Sequence, residues 1–501
     1  MSSSATLLDA SREIDAALPA IDDGKLRLSY ADVRRSVAAE RRWLQSMGVR
    51  RCALLAENSA GWILSDLALL ASEAVNVPVP PSFSCEQVRH VLDDAAIGWV
   101  LTDRAEQFTR NHPAFASVGR SQRTGLTLLA RGGREHRADS RSAGICKVTY
   151  TSGRTGAPKG VCLTQDAIRS VTESLVEATA GLGIQTHLCL LPLATLLENI
   201  AGVYVPMAMG ARIVVRPCHS IGVSYTGLQL PLLLSAIEAT LPESMILVPE
   251  LLRALVYAVR GGWRAPAALK FIAVGGGAVS PEMLQHARHA GLPVFEGYGL
   301  SECASVVCLN TPGNDRPGSV GRPLSHARVR IDVNGEICVK GATMAAYLGG
   351  TEQRDSEVRT GDLGEIDAEG FVYVRGRIKN MFITSMGRNI TPEWLESELA
   401  SAPAIAQAVV SGEARPHPVA LIVPGAGASE DAIEAAIAGA NSRLPEYARV
   451  RRWAMFPEVP TAINGLTTAN GRPRRAEIAA KYHQLIESLY DHATGKPHQV
   501  S

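Results

Sequence analysis

The sequence predicts an α/β fold: a large N-terminal domain of doubly wound sheets with a β-rich subdomain, then a small α+β unit at the C-terminus. Three observations carry this. Short β-prone apolar runs alternate with amphipathic helical stretches over 24–104 and again over 188–296, the pattern of a parallel sheet covered on both faces. From Gly318 to Val374 the pattern becomes short strands and turns. Near Gly376 it changes again, and the remaining stretch of about 120 residues has the size of a compact unit. We place the boundary between 1–376 and 377–501.

In order, Ser29 caps a helix running through Trp43 and Leu44, and Val49–Leu55 is a strand. Ser59–Leu70 and Ser84–Leu92 are helices, and Ala74–Val79 and Gly98–Thr102 are strands. Residues 104–142 carry eight arginines interrupted by Ser, Gly and Glu; a solvated connector is expected rather than a basic binding patch. Ile145–Thr151 and Val161–Leu163 are β-prone, and Thr164 caps a helix from Gln165. Leu188–Leu193, Ile213–Arg216, Met245–Val248, Phe271–Val274 and Pro293–Glu296 are strands. Asn199–Met209, Gln229–Ala239, Pro249–Val259 and Pro281–His289 are helices, the last capped by Ser280. In the C-terminal unit, Thr391 caps and Pro392 opens a helix within Ile390–Leu399. Ala406–Val410 and Val419–Val423 are strands, and Ala432–Ala440 and Ala476–Tyr490 are helices.

Composition narrows the function. Fifty basic and 49 acidic residues leave a formal net charge of +1, so overall charge draws the chain neither to nucleic acid nor to an anionic membrane. Aromatics are 5% of residues, so cores and pockets are expected to be mainly aliphatic. Nine scattered cysteines without a C-x-x-C suit reduced thiols in a cytoplasmic protein. A signal peptide is not expected, and no apolar run reaches the ~18 residues of a membrane span. His286 and His289 share a helix face but have no acidic or cysteine neighbour in sequence, so a zinc site is not expected. A hydrolase elbow, G-x-S-x-G, is absent.

The chemistry concentrates in Val148–Gly160, V-T-Y-T-S-G-R-T-G-A-P-K-G. Small residues let the backbone close on a ligand, and their N–H and O–H groups can surround phosphate oxygens. Lys159 adds a cation, and no carboxylate opposes it. Pro158 precedes that lysine and Gly160 follows it, unlike a Walker loop, and a strand comes next. Other candidates are Gly275-Gly276-Gly277, then F-E-G-Y-G-L-S-E at Phe295–Glu302. There Tyr298 can stack on a planar base, and the Glu302 carboxylate suits a hard cation. Asp362, in T-G-D, can accept two ribose hydroxyls. Arg377 and Lys379 stand where the domain style changes, and Asn470–Arg475 is a basic turn.

Together these stretches resemble the adenylate-forming superfamily, closest in pattern to long-chain fatty acyl-CoA synthetases and acyl-carrier ligases. T-S-G-R-T-G-A-P-K-G, G-Y-G-L-S-E, T-G-D-L, G-R-I-K and G-R-N-I-T-P-E match its motifs in order, between about Leu26 and Tyr490. L-P-L-A-T-L-L-E resembles the L-P-L-x-H-x-x-E of long-chain synthetases. The resemblance implies that Thr151, Ser152, Gly153, Thr155, Gly156 and Lys159 hold the β- and γ-phosphates of ATP. Gly276, Gly277, Glu296, Gly297 and Tyr298 would border adenine and the acyl pocket. Ser301 would touch the α-phosphate, Glu302 would bind Mg²⁺, and Asp362 would grip the ribose beside Arg377. Lys379 would be the hinge of a mobile C-terminal lid.

Several positions depart from the pattern: Arg154 for Thr or Ser, Ser301 for Thr, Thr195 for His, Lys379 where many relatives have Asp, and above all Arg472 for the lysine that bridges carboxylate and α-phosphate. A planar guanidinium is not a compact ammonium, so altered or slow adenylation is expected. The implied activity is ATP-dependent activation of a carboxylic acid to its adenylate, then transfer to CoA or to the phosphopantetheine of a separate acyl carrier protein. The surrounding Leu, Val, Ala and Met lean toward a fatty acid. An aryl-acid ligase is the alternative within the family, and a catalytically impaired nucleotide- or acyl-binding regulator the alternative outside it.

Overall fold

The structure, a computed structural model, describes residues 14–72, 74–132, 144–151, 158–224, 227–350, 357–461, 464–468, 471–490 and 498–499. Two large sheets dominate. In the first, Pro19–Asp22, Arg212–Val214, Thr186–Leu188, Ser244–Leu247, Phe271–Val274 and Val294–Leu300 run parallel in that order. Antiparallel strands close both edges, with Ser305–Leu309 folding back on Val294–Leu300. In the second, Ile145–Thr151, Val75–Pro78, Arg51–Leu55 and Trp99–Thr102 are parallel, and Lys159–Thr164 returns antiparallel to Ile145–Thr151.

One core joins the inner faces of both sheets to helices Tyr30–Ser46, Ala60–Ala71 and Gln165–Thr179. Apolar side chains recur on Tyr30–Ser46 and Gln165–Thr179 at three- and four-residue spacing, so one stripe of each is buried, whereas Ala60–Ala71 is buried on all sides up to Leu70. Ser29, Thr164 and Ser280 each accept a backbone N–H at the start of their helices, as expected, and Ser59 does the same. At the centre of this core Lys147 Nζ meets Asp66 Oδ1 at 2.8 Å and the Tyr204 hydroxyl at 2.8 Å, and also bonds Asn199 Oδ1. Asp66 further accepts from Tyr204 at 2.6 Å, Asn199 at 2.9 Å and Asn76 at 2.6 Å. Burial of a charge is tolerated only when it is paired and bonded in this way.

A four-stranded antiparallel sheet follows, built from Ala327–Ile331, Glu336–Gly341, Val358–Ile366 and Val372–Arg377. The last stretch forms its own sheet from Ile405–Ser411, Val419–Pro424, Arg452–Met455 and His498–Gln499, with separate apolar clusters. It touches the larger part through Arg443 and Ser401, which reach Glu282 at 2.9 and 3.1 Å.

Several elements differ from the sequence reading. Phe115–Arg120 and Thr127–Arg131 are strands extending the second sheet, preceded by the helix Ala105–Asn111, where a connector was expected. Arg120 lies on the edge strand, and Arg131, one strand in, pairs with Asp93 at 2.7 Å. Residues 133–143 of that stretch lie outside the described residues. Asn199–Met209 is not a plain α-helix: Glu198–Tyr204 is a π-helix, continued by Val205–Ala208. Thr391 stands at the N-cap position, but its hydroxyl donates to the Arg375 carbonyl at 2.8 Å rather than capping. The final helix breaks at Tyr482 into Arg475–Lys481 and His483–Ser488. Phe271–Val274 and Pro281–His289 have the bounds read from sequence.

Candidate active site

A cleft opens at the C-terminal ends of the parallel strands of the first sheet, the usual place for a ligand in an open α/β sheet. Its wall is the strand Val294–Leu300 and the tight turn Ser301–Cys303. The chain reverses here so closely that a Cβ at Gly299 would lie 1.8 Å from the Ser305 carbonyl oxygen. Ala304 and Ser305 take φ of 52° and 106°, a costly conformation concentrated at the motif. That reversal presents Ser301 and Glu302 to the cleft.

Glu302 accepts a hydrogen bond from the Tyr347 hydroxyl at 2.9 Å, and the Lys159 ammonium stands 5.7 Å from the centre of the same ring. Tyr347 therefore links the end of the glycine-threonine loop to the carboxylate. Its strand, Ala346–Tyr347, pairs with Lys159–Thr164. On the other limb Thr151 lines the cleft opposite Lys159 in the ladder. His90 Nε2 donates to the Pro158 carbonyl at 2.9 Å, bracing the loop from the helix Cys85–Asp94. Ser152, Gly153, Arg154, Thr155 and Gly156 lie outside the described residues.

Across the cleft the Tyr298 hydroxyl donates to Asp362 Oδ2 at 2.7 Å, and Arg377 Nε donates to Asp362 Oδ1 at 2.6 Å. Burial and then the Asp362 charge hold the Tyr298 phenol well above its ordinary pKa. Burial works against the Arg377 charge, but Asp362 outweighs it and leaves that guanidinium above its usual value. Arg472, from the C-terminal part, donates through Nε at 2.9 Å and Nη2 at 2.6 Å to the Gly276 carbonyl. Its side chain is accessible, yet protein encloses it, because the accessible space is the cleft itself. Burial, and then Arg377, lower its pKa from the ordinary value. Gly277 and Gly297 line the same cleft, and Lys379 stands at its outer rim in the turn Ile378–Asn380.

Glu296 lies beneath the Gly275–Gly277 segment with only 7% of its surface exposed. Burial, eased by Arg288, raises its pKa to about 8, and Oε2 has no partner among the described residues. Thus Gly276, Tyr298, Asp362, Arg377 and Arg472 form one group, and Lys159, Glu302 and Thr151 a second on the facing wall. Tyr347 and His90 were missed, because pairing across more than 40 residues leaves no local signature. Inward from the cleft runs an apolar cavity, about 820 Å³ with the cleft included. Leu175, Ile184, Leu196, Val205, Met209 and Phe271 line it, and Thr195 stands on its wall.

Comparison with known proteins agrees with these features. The family described as AMP-binding enzyme matches residues 10–348, and the AMP-binding enzyme C-terminal domain matches 379–494. The chain belongs to the AMP-binding enzyme family. It is 28% identical to the long-chain-fatty-acid–CoA ligase FadD15 of Mycobacterium bovis, over 93% of this chain and 92% of that one. It is 27% identical to the 2-succinylbenzoate–CoA ligase of Bacillus mycoides, over 88% and 92%. Among solved structures it resembles the anthranilate CoA ligase AuaEII in complex with anthranoyl-AMP, with a TM-score of 0.80, 21% identity and coverage of 96% and 97%. It also resembles the Bacillus subtilis o-succinylbenzoate CoA synthetase with ATP and magnesium ion, with a TM-score of 0.74, 24% identity and coverage of 94% and 98%. No helix among the described residues is long and apolar enough to cross a membrane.

Proposed function

We propose that this protein is an AMP-forming acid–thiol ligase. It would activate a carboxylic acid with ATP in the cleft, release pyrophosphate, and pass the acyl group to CoA. The observation that carries this is the facing pair of polar groups, Lys159 with Glu302 and Asp362 with Arg377, at the mouth of an apolar cavity.

The residues present fit a nucleotide and a divalent cation. The reversal at Gly299 leaves no space for a side chain beside the cleft, Glu302 offers a hard oxygen ligand, and Glu296 keeps an unsatisfied buried oxygen. Magnesium, bound through Glu302, would neutralise triphosphate charge. Lys159, with Thr151 and the loop 152–157, would hold the β- and γ-phosphates. Asp362 would exchange the Tyr298 hydroxyl for ribose hydroxyls while Arg377 keeps its charge paired. A carboxylate is a poor electrophile, since its leaving group would be oxide. Attack on the α-phosphate converts it to a mixed anhydride, and the protein contributes positioning and charge neutralisation. Arg472, beside the Gly275–Gly277 turn, would bring its guanidinium to the carboxylate and α-phosphate. The apolar cavity would keep water from the anhydride until the thiol arrives. Rotation of the C-terminal part at Lys379 would admit the thiol.

For the acid, the depth and aliphatic lining of the cavity favour a chain acid over a compact ring. The aryl reading is favoured instead by the 2-succinylbenzoate and anthranilate ligases among the relatives and similar structures. Carboxylate-dependent exchange of labelled pyrophosphate into ATP, across matched fatty and aryl acids, decides between them. No exchange with any acid, alongside ATP binding, would favour a regulator. The mass of the product separates CoA from a carrier-protein arm as acceptor.

A further inference from the structure

The cavity wall is mainly apolar, with Thr179 and Thr195 among its polar exceptions and a further polar pair near its inner end. There His187 and Ser244 face it from adjacent strands, directly opposite each other in the parallel ladder. Ser244 in turn pairs with Phe271. This row lies four residues below Val248 and Gly275, about 13 Å at ~3.3 Å per residue. That is far from the phosphate-facing end.

Behind the row stands Glu198, fully buried, on the π-helix Glu198–Tyr204. It contacts His187 Nε2 at 3.4 Å, the Leu191 N–H at 3.3 Å and the Cys189 thiol. The widened π-turn carries Gly202 past it so closely that a Cβ there would lie 2.4 Å from Glu198 Oε1. A π-bulge placed against a cavity is a common mark of a functional site. A buried carboxylate is costly unless hydrogen bonds hold it in place, and those bonds order the groups it faces.

What it orders is a direction. With Glu198 accepting, the tautomer assigned to His187 carries its hydrogen on Nε2. In the neutral ring Nδ1 is then the acceptor and takes the Ser244 hydroxyl hydrogen, across 2.8 Å. Ser244 Oγ is left with lone pairs only. A ligand in the cavity meets an acceptor, not a donor.

We propose that the acid activated here carries a hydrogen-bond donor, a hydroxyl or N–H, near the end remote from its carboxylate, and that Ser244, oriented through His187 and Glu198, reads it. This rests on the reading of the cavity as the acid pocket. Ser244 is the contact residue, and His187 and Glu198 are positioning residues.

The test uses pyrophosphate exchange with a medium-chain fatty acid, the ω-hydroxy acid of the same length, and its methyl ether, which keeps the oxygen but lacks the donor. Wild type is expected to favour the hydroxy acid over the ether on the order of 10-fold or more in kcat/KM, mostly through KM. Ser244→Ala should erase that preference while exchange with the unsubstituted acid is kept. Glu198→Gln, which can present either amide atom to His187, should relax the preference with the fold intact by unfolding midpoint. Equal use of the hydroxy acid and its ether by wild type overturns the proposal but leaves acid activation standing. So does an equal loss for all three acids in Ser244→Ala. Exchange with none of the acids removes both readings. His187, Cys189 and Glu198 also place three ligand atoms within 4.8 Å of one another; stoichiometric zinc lost on Cys189→Ala would overturn the proposal too.

Discussion

The molecule contains the same trio twice: a cation, an aspartate and a tyrosine hydroxyl. In the core it is Lys147, Asp66 and Tyr204; in the cleft it is Arg377, Asp362 and Tyr298. In the core, Asn76 and Asn199 add further hydrogen bonds to Asp66, and neither ion is more than 1% exposed. In the cleft the Asp362 carboxylate is buried but the Arg377 side chain is a third exposed, and both face space a ligand can enter. The first arrangement is closed, so it pins the strand leading into the glycine-threonine loop to helix Ala60–Ala71. The second is open on one side, so its hydrogen bonds can be traded for those of a nucleotide. The difference lies in what surrounds the trio, not in its members.

Breaking each trio should separate stability from activity. Asp66→Ala strands a buried ammonium and should cost about 3–5 kcal/mol in urea unfolding. Asp362→Ala should leave the unfolding midpoint near wild type but lower pyrophosphate exchange on the order of 100-fold. If Asp362→Ala unfolded as readily as Asp66→Ala, the distinction would fail.

Glu296 sharpens the comparison, because it is a buried carboxyl without a cation in contact. Its folded pKa of about 8 lies above the unfolded carboxyl value. Its favourable contribution is complete below the unfolded pKa, and is lost as pH rises toward 8. Glu296→Gln should therefore be close to neutral at pH 5 and stabilise by roughly 4 kcal/mol near pH 9, at ~1.4 kcal/mol for each unit by which the pKa is raised. Calorimetric unfolding at the two pH values reads this, and a pH-independent difference would contradict it.

The smallest effects come from the tyrosines. Tyr204→Phe leaves buried donors and acceptors unpaired and should cost about 1–3 kcal/mol. Tyr298→Phe, beside accessible space, should cost under ~1 kcal/mol and raise the KM for ATP a few-fold.

Legibility in the sequence follows the same division. Phe271–Val274 and Pro281–His289 were bounded by glycine, serine and proline, so local chemistry fixed their ends. The cleft residues sit in motifs whose order along the chain exposes them. The core trio left no such mark, since Lys147 on a strand reads as a surface residue until Asp66 is known to face it. Tyr347 and His90 were hidden for the same reason, each acting on a residue far away in sequence. The edge strand Phe115–Arg120 and its neighbour Thr127–Arg131 were masked by arginines, which strands this close to a sheet's exposed edge tolerate. The π-turn at Glu198 needs the packing of His187 and Gly202 to be seen.

The central claim is that an acid is joined to AMP in this cleft, with Lys159 gripping the phosphates. Pyrophosphate exchange by wild type and Lys159→Ala, each with and without acid, tests it most directly. Acid-dependent exchange that falls on the order of 100-fold in the variant, at an unchanged unfolding midpoint, is the predicted result. Exchange that ignores the acid, or that survives Lys159→Ala undiminished, would contradict it.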